Sequence, residues 1–197
     1  MVDKYAVIRE IKQYAETNNV PIMMDDGINF LTTYILKNHV KSILEIGTAI
    51  GYSAIMMALV DVNVKITTIE RDEVRYLEAL KNVKLLGLED RITLIYNDAF
   101  NVKLDDKFDL IFIDAAKAQS IKFFEIFERN LNCNGAIITD NLKFHGLVDK
   151  NDSEIKSRNL RALVRKIKDY IKFLETNEKY NTEFFDIGDG ISVSKRK

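Results

Sequence analysis

The stretch Ser42-Ile43-Leu44-Glu45-Ile46-Gly47-Thr48-Ala49-Ile50-Gly51-Tyr52-Ser53 joins an apolar run to a helix-forming segment, residues 54–59. This order predicts a buried strand, a tight turn and a helix. Two glycines four residues apart allow backbone conformations that a Cβ forbids, and they let a ligand lie against the main chain. Because the free N–H groups of the new helix point towards that turn, the stretch predicts a cradle for a nucleotide.

The glycine spacing is G-x-x-x-G, with Glu45 two residues before the first glycine. Dinucleotide-binding folds use G-x-G-x-x-G, so the spacing argues against NAD as the ligand. A second apolar run, residues 65–69, ends in Glu70, at about the position where doubly wound folds place a carboxylate on the ribose hydroxyls. The glycines alone fit an ordinary strand-to-helix turn equally well, and Glu70 shifts the balance towards a ligand site.

Strand and helix patterns alternate along the rest of the chain. Apolar runs predict strands at residues 65–70, 92–96, 108–114 and 134–139. Between them, helices are predicted at residues 72–86, with Val74, Leu77, Leu80 and Val83, and around Phe123, Phe124, Phe127 and Leu131. Residues 182–187 and 191–194 flank Gly188-Asp189-Gly190, which is a hairpin signal. This pattern predicts an α/β fold: a doubly wound, mostly parallel, Rossmann-like sheet of seven strands with a C-terminal antiparallel hairpin.

Amphipathic helices are predicted on both sides of this sheet core in the sequence. Residues 2–17 and 22–36 have helical periodicity, and Pro21, the only proline, separates them. Both precede the first strand, so we expect them to form a lid or an oligomer contact. A long helix is predicted over about residues 154–175. Without any linker or repeat, the chain is expected to be one domain over 1–197, with N-terminal helices in 1–38 and the sheet core in 42–197.

Composition excludes several classes of protein. The 197 residues carry a formal net charge of −1, which argues against a uniformly basic nucleic-acid-binding protein but allows a local basic face. The single cysteine cannot form an internal disulfide, which fits a reducing compartment. No apolar run approaches membrane-spanning length and the N-terminus lacks an apolar signal core, so we expect a cytoplasmic protein with no membrane partner.

Polar side chains follow the ends of several predicted strands, where open α/β sheets bind ligands. The residues concerned are Glu70, Asp98, Asp114, Asp140 and Asn141. Asp114, Asp140 and Asn141 offer hard oxygen donors, which suit Mg²⁺ or Ca²⁺ and do not suit zinc. The simpler alternative is that such residues cap helices and turns, or pair with Lys117 or Lys143.

These motifs occur together in one known family. The stretch 45–53, Glu70, Asp98-Ala99, Asp114-Ala115-Ala116-Lys117 and Thr139-Asp140-Asn141 resemble the motifs of cation-dependent O-methyltransferases that use S-adenosylmethionine, the group that includes catechol and caffeoyl-coenzyme A enzymes. The resemblance extends over nearly the whole chain and implies the class I methyltransferase fold. Residues 20–23, 157–167 and 188–195 are most similar to bacterial tRNA 5-hydroxyuridine methyltransferases.

The resemblance implies a role for each matching residue. Those implied to bind S-adenosylmethionine are Met23, Glu45, Gly47, Gly51, Ser53, Glu70, Asp98, Ala99 and Asp114. Asp114, Asp140 and Asn141 would hold Mg²⁺. Lys117 matches a lysine regarded as a general base or charge stabiliser, so Lys117 and Asp114 are the implied catalytic residues. A divalent cation lowers the pKa of a bound hydroxyl, and a lysine beside it can accept the proton.

A basic stripe on the long helix gives information about the class of substrate. Arg158, Arg161 and Arg165 recur at three- and four-residue steps, and Lys168 and Lys172 continue them. Such a stripe suits the phosphate backbone of tRNA, because arginine can bind phosphate with two parallel hydrogen bonds. A solvated face or a set of ion pairs across a dimer is the alternative interpretation.

Three functional hypotheses follow. The first is Mg²⁺-dependent methylation of the 5-hydroxyl of 5-hydroxyuridine at the tRNA wobble position, giving 5-methoxyuridine. The second is a small-molecule O-methyltransferase of the catechol or caffeoyl-coenzyme A type, acting on a phenol with adjacent oxygens. The third is a noncatalytic protein that binds S-adenosylmethionine. We expect a homodimer, and the sequence leaves open whether His145, four residues after Asn141, contacts the substrate.

Overall fold

The computed structural model describes residues 3–197, so residue 2, where the sequence predicts the first helix to begin, lies outside the described residues. The helices and strands are, in order, α1 (Lys4–Thr17), α2 (Asp25–Lys37), β1 (Ser42–Ile46), α3 (Tyr52–Leu59), β2 (Lys65–Glu70), α4 (Glu73–Leu85), β3 (Ile92–Tyr96), β4 (Phe108–Ile113), α5 (Ser120–Phe127), β5 (Leu131–Thr139), α6 (Arg158–Glu175), β6 (Tyr180–Phe185) and β7 (Ile191–Arg196). Short 3-10 turns lie at Ala99–Asn101, Lys117–Gln119, Glu128–Asn130 and Asp152–Glu154.

The strands form one sheet of seven in the order β3-β2-β1-β4-β5-β7-β6. The first five pair in parallel, whereas β7 runs antiparallel to both β5 and β6. The predicted fold, a doubly wound sheet with a C-terminal antiparallel hairpin, is therefore confirmed. The strand order reverses between β1 and β4, and the crevice at the carboxyl ends of these two strands is where such sheets bind ligands.

Two apolar layers cover the sheet. On one face, Ile43 and Phe112 pack with α1, α2 and α3, and on the other, Leu44 and Ile111 pack with α5 and α6. Neighbouring strand residues alternate between the two layers, and both sides are buried, which accounts for the near-continuous apolar runs in the sequence. The N-terminal helices thus belong to the core layer, and Pro21 and Ile22 between them line a cavity described below.

Helix α4 differs from its prediction in the face that it buries, since of the four predicted apolar residues only Val83 is buried. Val74 and Leu77 are 71% and 56% exposed, and Leu80 is also exposed, while Ala79 on the opposite side is fully buried. A Cβ on Gly51 would lie 3.3 Å from the Cβ of Ala79, so α4 approaches the glycine turn through its small residue. Close approach of the two backbones, and not the largest apolar side chains, decides which face of α4 is inside.

Two element boundaries also differ from prediction. Leu131, expected in a helix, begins β5 and pairs with Phe108, whereas the next paired residues are Leu110 and Ala136. The intervening residues form an irregularity in β5, which obscures the strand pattern in the sequence. Helix α6 begins at Arg158 and not near residue 154, because Ser157 caps it by accepting a hydrogen bond from the backbone N–H of Leu160 (3.3 Å). In the described part of the chain, no helix is long and apolar enough to cross a membrane.

Candidate active site

The glycine turn after β1 forms one wall of the site. Gly47 has φ +102° and Gly51 has φ +83°, conformations that favour glycine. The N–H groups of Gly47 and Thr48 donate to the carbonyl oxygen of Ile69 at 3.0 and 3.2 Å, which ties the turn to β2. A Cβ on Gly47 would lie 2.3 Å from the carbonyl oxygen of Asp114, so the turn also presses directly against the end of β4.

Glu70, the last residue of β2, is held by three backbone groups. Its Oε2 accepts a hydrogen bond from the N–H of Ala49 (2.8 Å), and its Oε1 accepts from the N–H groups of Arg71 (3.0 Å) and Asp72 (2.9 Å). The side chain is nearly buried yet lines the cavity beside the glycine turn. Its carboxylate is therefore preoriented, with its remaining lone pairs available to hydroxyl donors of a ligand.

Glu45 lies beneath the glycine turn and has no exposed surface. Its two carboxylate oxygens accept hydrogen bonds from Ser53 Oγ and Thr68 Oγ1, both at 2.5 Å, and the hydroxyls of Thr68 and Thr48 are 2.6 Å apart. Burial raises the pKa of Glu45 to about 7, although the two hydroxyl donors lower it. Since its oxygens are fully engaged inside the protein, Glu45 holds the turn and does not line the cavity.

A cavity of about 370 Å³ opens at the carboxyl ends of β1, β2, β3 and β4. The predicted site residues that line it are Gly47, Glu70, Asp98, Ala99, Asp114, Lys117 and Asn141. Residues from five separate parts of the chain therefore meet in one crevice, at the point where the strand order reverses. A larger open groove of about 700 Å³ lies elsewhere, between α2 and residues 186–188, and contains none of the predicted site residues.

Asp98 fixes the rim of this cavity beside β3. Its Oδ1 accepts a hydrogen bond from the N–H of Phe100 (3.0 Å), and Arg71 Nη1 lies 3.6 Å from its Oδ2. The ring of Phe100 stacks on that of Phe123, with centroids 4.8 Å apart, and Phe123 lines the cavity. This part of the site therefore combines an apolar ring with a carboxylate on its rim.

Three charged groups converge at the other side of the cavity. Lys117 Nζ donates to Asp114 Oδ1 at 2.6 Å, with both side chains mostly buried. Burial raises the pKa of Asp140 to about 7, with the nearby Asp114 acting in the same direction and Lys117 opposing it. Asp140 Oδ1 is buried and has no hydrogen-bond partner. An unpaired carboxylate oxygen beside a second carboxylate is costly unless a cation neutralises it.

The donor set at this point fits a hard cation. Among residues 3–197, no group of three His, Cys, Asp or Glu side chains is placed to hold a metal ion. The predicted set contains two carboxylates, and its third member, Asn141, contributes an amide oxygen from the rim of the cavity. Oxygen donors with room for water or substrate oxygens suit Mg²⁺, and the orphaned Asp140 oxygen is the observation that supports such an ion.

Comparison with known proteins identifies the family. The model of the O-methyltransferase family matches residues 2–197. The chain belongs to the O-methyltransferase family. It is 28% identical over 193 residues to the caffeoyl-CoA O-methyltransferase of Populus kitakamiensis, covering 94% of this chain and 82% of that protein. The enzyme class predicted from the sequence, an S-adenosylmethionine-dependent O-methyltransferase, is thereby confirmed.

Solved structures agree with this assignment. A candidate caffeoyl-CoA O-methyltransferase from Staphylococcus aureus is 40% identical with a TM-score of 0.91, covering 96% of this chain and 92% of that chain. An O-methyltransferase from Bacillus cereus, solved in complex with SAH, is 25% identical with a TM-score of 0.82, covering 98% of this chain and 91% of that chain. The O-methyltransferase described here therefore shares its fold over nearly its full length with both proteins.

Several predicted site residues of this O-methyltransferase lie behind the cavity wall. Met23 is 4% exposed and packs against Gly27, and Ser53 donates its hydroxyl to Glu45. Gly51 faces Ala79, and Asp140 is buried with only its neighbour Asn141 on the cavity surface. Their direct binding roles stay predictions.

Sequence reasoning missed other residues that line the cavity. Arg71 and Arg75 follow Glu70 into the first turn of α4, and Phe144 reaches the cavity from the segment after β5, as does His145, whose contact the sequence left open. Arg71 was detectable, because the residue after a strand-end carboxylate lies at the same edge of the sheet. The placement of Phe144 depends on backbone geometry, with φ +46°, that no sequence pattern marked.

Proposed function

We propose that this O-methyltransferase transfers a methyl group from S-adenosylmethionine to the 5-hydroxyl of 5-hydroxyuridine at the tRNA wobble position, in a Mg²⁺-dependent reaction that gives 5-methoxyuridine. The observation that carries the proposal is the position of the basic helix α6. It packs against the turn Lys117–Gln119, whose first residue belongs to the charged side of the cavity.

The methyl donor would lie along the glycine turn. Glu70, fixed by three backbone N–H groups, is suited to the ribose hydroxyls. Asp98 and Ala99 line the part of the cavity beside Phe123, which is suited to the adenine ring. In this arrangement the sulfonium end of the donor would lie towards Asp114.

The acceptor oxygen would lie between Asp114 and Lys117. Asp114, Asp140 and Asn141 would hold the cation, which supplies a lowered pKa for the acceptor hydroxyl. Lys117 Nζ, bonded to Asp114 Oδ1, can stabilise the charge of the acceptor oxygen as an ammonium. To act as the base it must first give up a proton to solvent, and the neutral amine then accepts the hydroxyl proton. A displacement at carbon requires the acceptor oxygen and the methyl carbon in line, and the walls of the crevice would have to hold them so.

Helix α6 points its first turns towards the site. The preceding strand β5 ends at the site edge with Thr139, while the following strand β6 begins at the opposite edge with Tyr180. The first turns of the helix are therefore on the site side of the sheet, and Tyr170 Oη, about two thirds of the way along the helix, lies 2.7 Å from Thr139 Oγ1. Arg158 is in the first turn of α6, and Lys172 lies about 21 Å further along the helix axis.

Two of the three proposed tRNA-binding arginines have partners within the protein. Arg161 Nη1 donates to the carbonyl oxygen of Ile155 at 2.7 Å, and Arg165 pairs with Asp152. The Arg165 pair is exposed, and such pairs contribute only about 0–1 kcal/mol. A phosphate group can therefore replace Asp152 at little cost, whereas Arg161 also supports the segment that leads into α6.

The test compares two acceptors and two charge reversals on the same helix. The enzyme, labelled S-adenosylmethionine and Mg²⁺ are incubated with an anticodon stem-loop containing 5-hydroxyuridine, and separately with catechol, with and without a chelator. We expect methylation of the RNA that the chelator abolishes. Arg158→Glu should raise the KM for the RNA about tenfold, the equivalent of about 1.4 kcal/mol, and Lys172→Glu is the matched control.

The outcomes separate the hypotheses. If catechol is turned over and the RNA is not, the enzyme is a small-molecule O-methyltransferase. If Arg158→Glu and Lys172→Glu alter the RNA kinetics equally, the helix does not dock tRNA beside the site. Activity that survives removal of divalent cations would refute the metal ligand set.

Assembly and location belong to the same proposal. We propose a homodimer in the cytoplasm, where its tRNA substrate would be found. The exposed apolar side chains of Val74, Leu77 and Leu80 at three-residue steps on α4 support an assembly surface, because such a row is rarely left open to water.

A further inference from the structure

The segment after β5 has an unusual backbone. Asn141, Phe144 and His145 have φ values of +67°, +46° and +56°. Non-glycine residues rarely adopt this conformation, and each occurrence costs free energy that the surroundings must supply. Within the described residues, three of the six such positions fall in this five-residue stretch, which borders the cavity.

The turn between β6 and β7 holds this segment in place. The N–H of Leu142 donates to the carbonyl oxygen of Gly190 (3.0 Å), and the N–H of Lys143 donates to that of Asp189 (2.7 Å). The N–H of His145 donates to Asp189 Oδ1 at 2.6 Å. A Cβ on Gly190 would lie 3.0 Å from the backbone nitrogen of Lys143, so the contact requires glycine there. Asp189 thus binds the segment through both its backbone and its side chain.

The second carboxylate oxygen of Asp189 faces the ring of His145. Asp189 is only 7% exposed, and its Oδ2 is buried without a hydrogen-bond partner. The nearest basic atom is Nδ1 of His145, 3.8 Å away. The ring itself is exposed and lines the cavity. A carboxylate beside Nδ1 favours the tautomer protonated there, which leaves Nε2 as a hydrogen-bond acceptor.

We propose that Asp189 is a positioning residue: it holds the segment 141–146, in which Asn141, Phe144 and His145 are left-handed, and fixes the ring of His145, so that Nε2 accepts a hydrogen bond from an N–H or O–H group of the acceptor substrate. The inference rests on the O-methyltransferase activity of the proposed function and holds for either class of acceptor. It gives His145 a role in acceptor recognition, separate from binding of the methyl donor.

One experiment determines directly which nitrogen of the His145 ring carries the proton. The chain has two histidines, so His39→Gln leaves the His145 ring as the only imidazole signal in a long-range ¹H–¹⁵N spectrum. The spectrum is recorded at alkaline pH. We expect the Nδ1–H tautomer. Asp189→Asn keeps an acceptor for the His145 N–H but places an amide donor against Nδ1, so the Nε2–H tautomer should replace it. An Nε2–H tautomer in the presence of Asp189, or no change in Asp189→Asn, overturns the proposal.

Kinetics test the consequence for the substrate. His145→Ala and Asp189→Asn should each raise the KM of the acceptor about tenfold, the loss expected for one hydrogen bond, with kcat and the affinity for SAH nearly unchanged. Asp189→Ala should do more, because it also releases the segment. Asp186→Asn is the matched control: its carboxylate is on the same turn but is exposed and pairs with Lys143.

Both acceptors, the 5-hydroxyuridine stem-loop and catechol, are used in these assays. An unchanged acceptor KM in His145→Ala with the acceptor that is methylated overturns the role of His145. If neither acceptor is methylated, the proposed substrates are wrong, and the tautomer experiment still decides the role of Asp189. If Asp189→Ala does not fold, the nearly isosteric Asp189→Asn gives the answer.

Discussion

Replacing Gly47 with alanine tests how the glycine turn builds the site. The missing side chain at this position lets the turn lie against the backbone at the end of β4. A Cβ there would lie 2.3 Å from the carbonyl oxygen of Asp114, 2.8 Å from its carbonyl carbon and 3.1 Å from the Cα of Ala115. All three neighbours are backbone atoms, so no side-chain rotation can relieve the contact.

The cost has two parts. A non-glycine residue in such a conformation costs about 1–3 kcal/mol. In addition, the two chain segments must separate by about 0.7 Å to reach the 3.0 Å below which real Cβ contacts essentially do not occur, and overpacking of this kind costs about 1–3 kcal/mol. Gly87→Ala is the matched control, because Gly87 has φ +63° and a Cβ there meets nothing within 4 Å. The control therefore carries the conformational cost alone.

Denaturant unfolding and calorimetry with SAH measure the two effects. We expect Gly47→Ala to lose about 1–3 kcal/mol more than Gly87→Ala, which at this chain length lowers the unfolding temperature by about 2–12 °C more. Its affinity for SAH should fall as well, since displacement of Asp114 and Ala115 deforms the cavity wall, while Gly87→Ala keeps normal affinity. Equal destabilisation of the two variants, with equal SAH affinity, would refute the close approach of turn and strand.

Two further predictions concern pH and assembly. Burial and the neighbouring Asp114 raise the pKa of Asp140 to about 7, so the folded protein favours the protonated carboxyl. The stability that this protonation contributes is fully present below about pH 4 and is lost as pH rises through about 7. Asp140→Asn should therefore flatten the pH dependence of the unfolding free energy over that range in metal-free buffer; parallel curves for the variant and the wild type would contradict this. Leu77→Asp on the exposed face of α4 should convert the proposed dimer to a monomer in light scattering while the protein still folds, and an unchanged mass would exclude this surface.

The parts of the fold that the sequence predicts are those with local causes. The strand, turn and helix of residues 42–59 follow from neighbouring residues, and the strand-end position of Glu70 follows from one apolar run. The buried face of α4 has a distant cause, because Ala79 is buried where α4 packs against Gly51, which belongs to another part of the chain. The start of β5 at Leu131 likewise depends on pairing with Phe108 and not on its own neighbours.

The candidate site divides in the same way. Asp114 and Asn141 could be predicted as site residues from their positions after strands, because the carboxyl ends of parallel strands share one edge of the sheet. Residue type alone did not separate Glu45 from Glu70, although one is sealed beneath the turn and the other faces the cavity. Nor did it reveal the contact between Asp189 and His145, which are 44 residues apart and meet only because β7 returns beside β5.

Asp114 links the two halves of the proposed reaction because its backbone and its side chain face different partners. Its carbonyl oxygen lies against Gly47, in the wall that would hold the methyl donor, and its carboxylate binds Lys117 and faces Asp140 on the acceptor side. In the proposed reaction, a single residue at the end of β4 would therefore fix the distance between donor and acceptor sites. Any change that shifts this backbone should disturb both sites together, whereas loss of the carboxylate alone should spare the fit of the turn and affect the acceptor side.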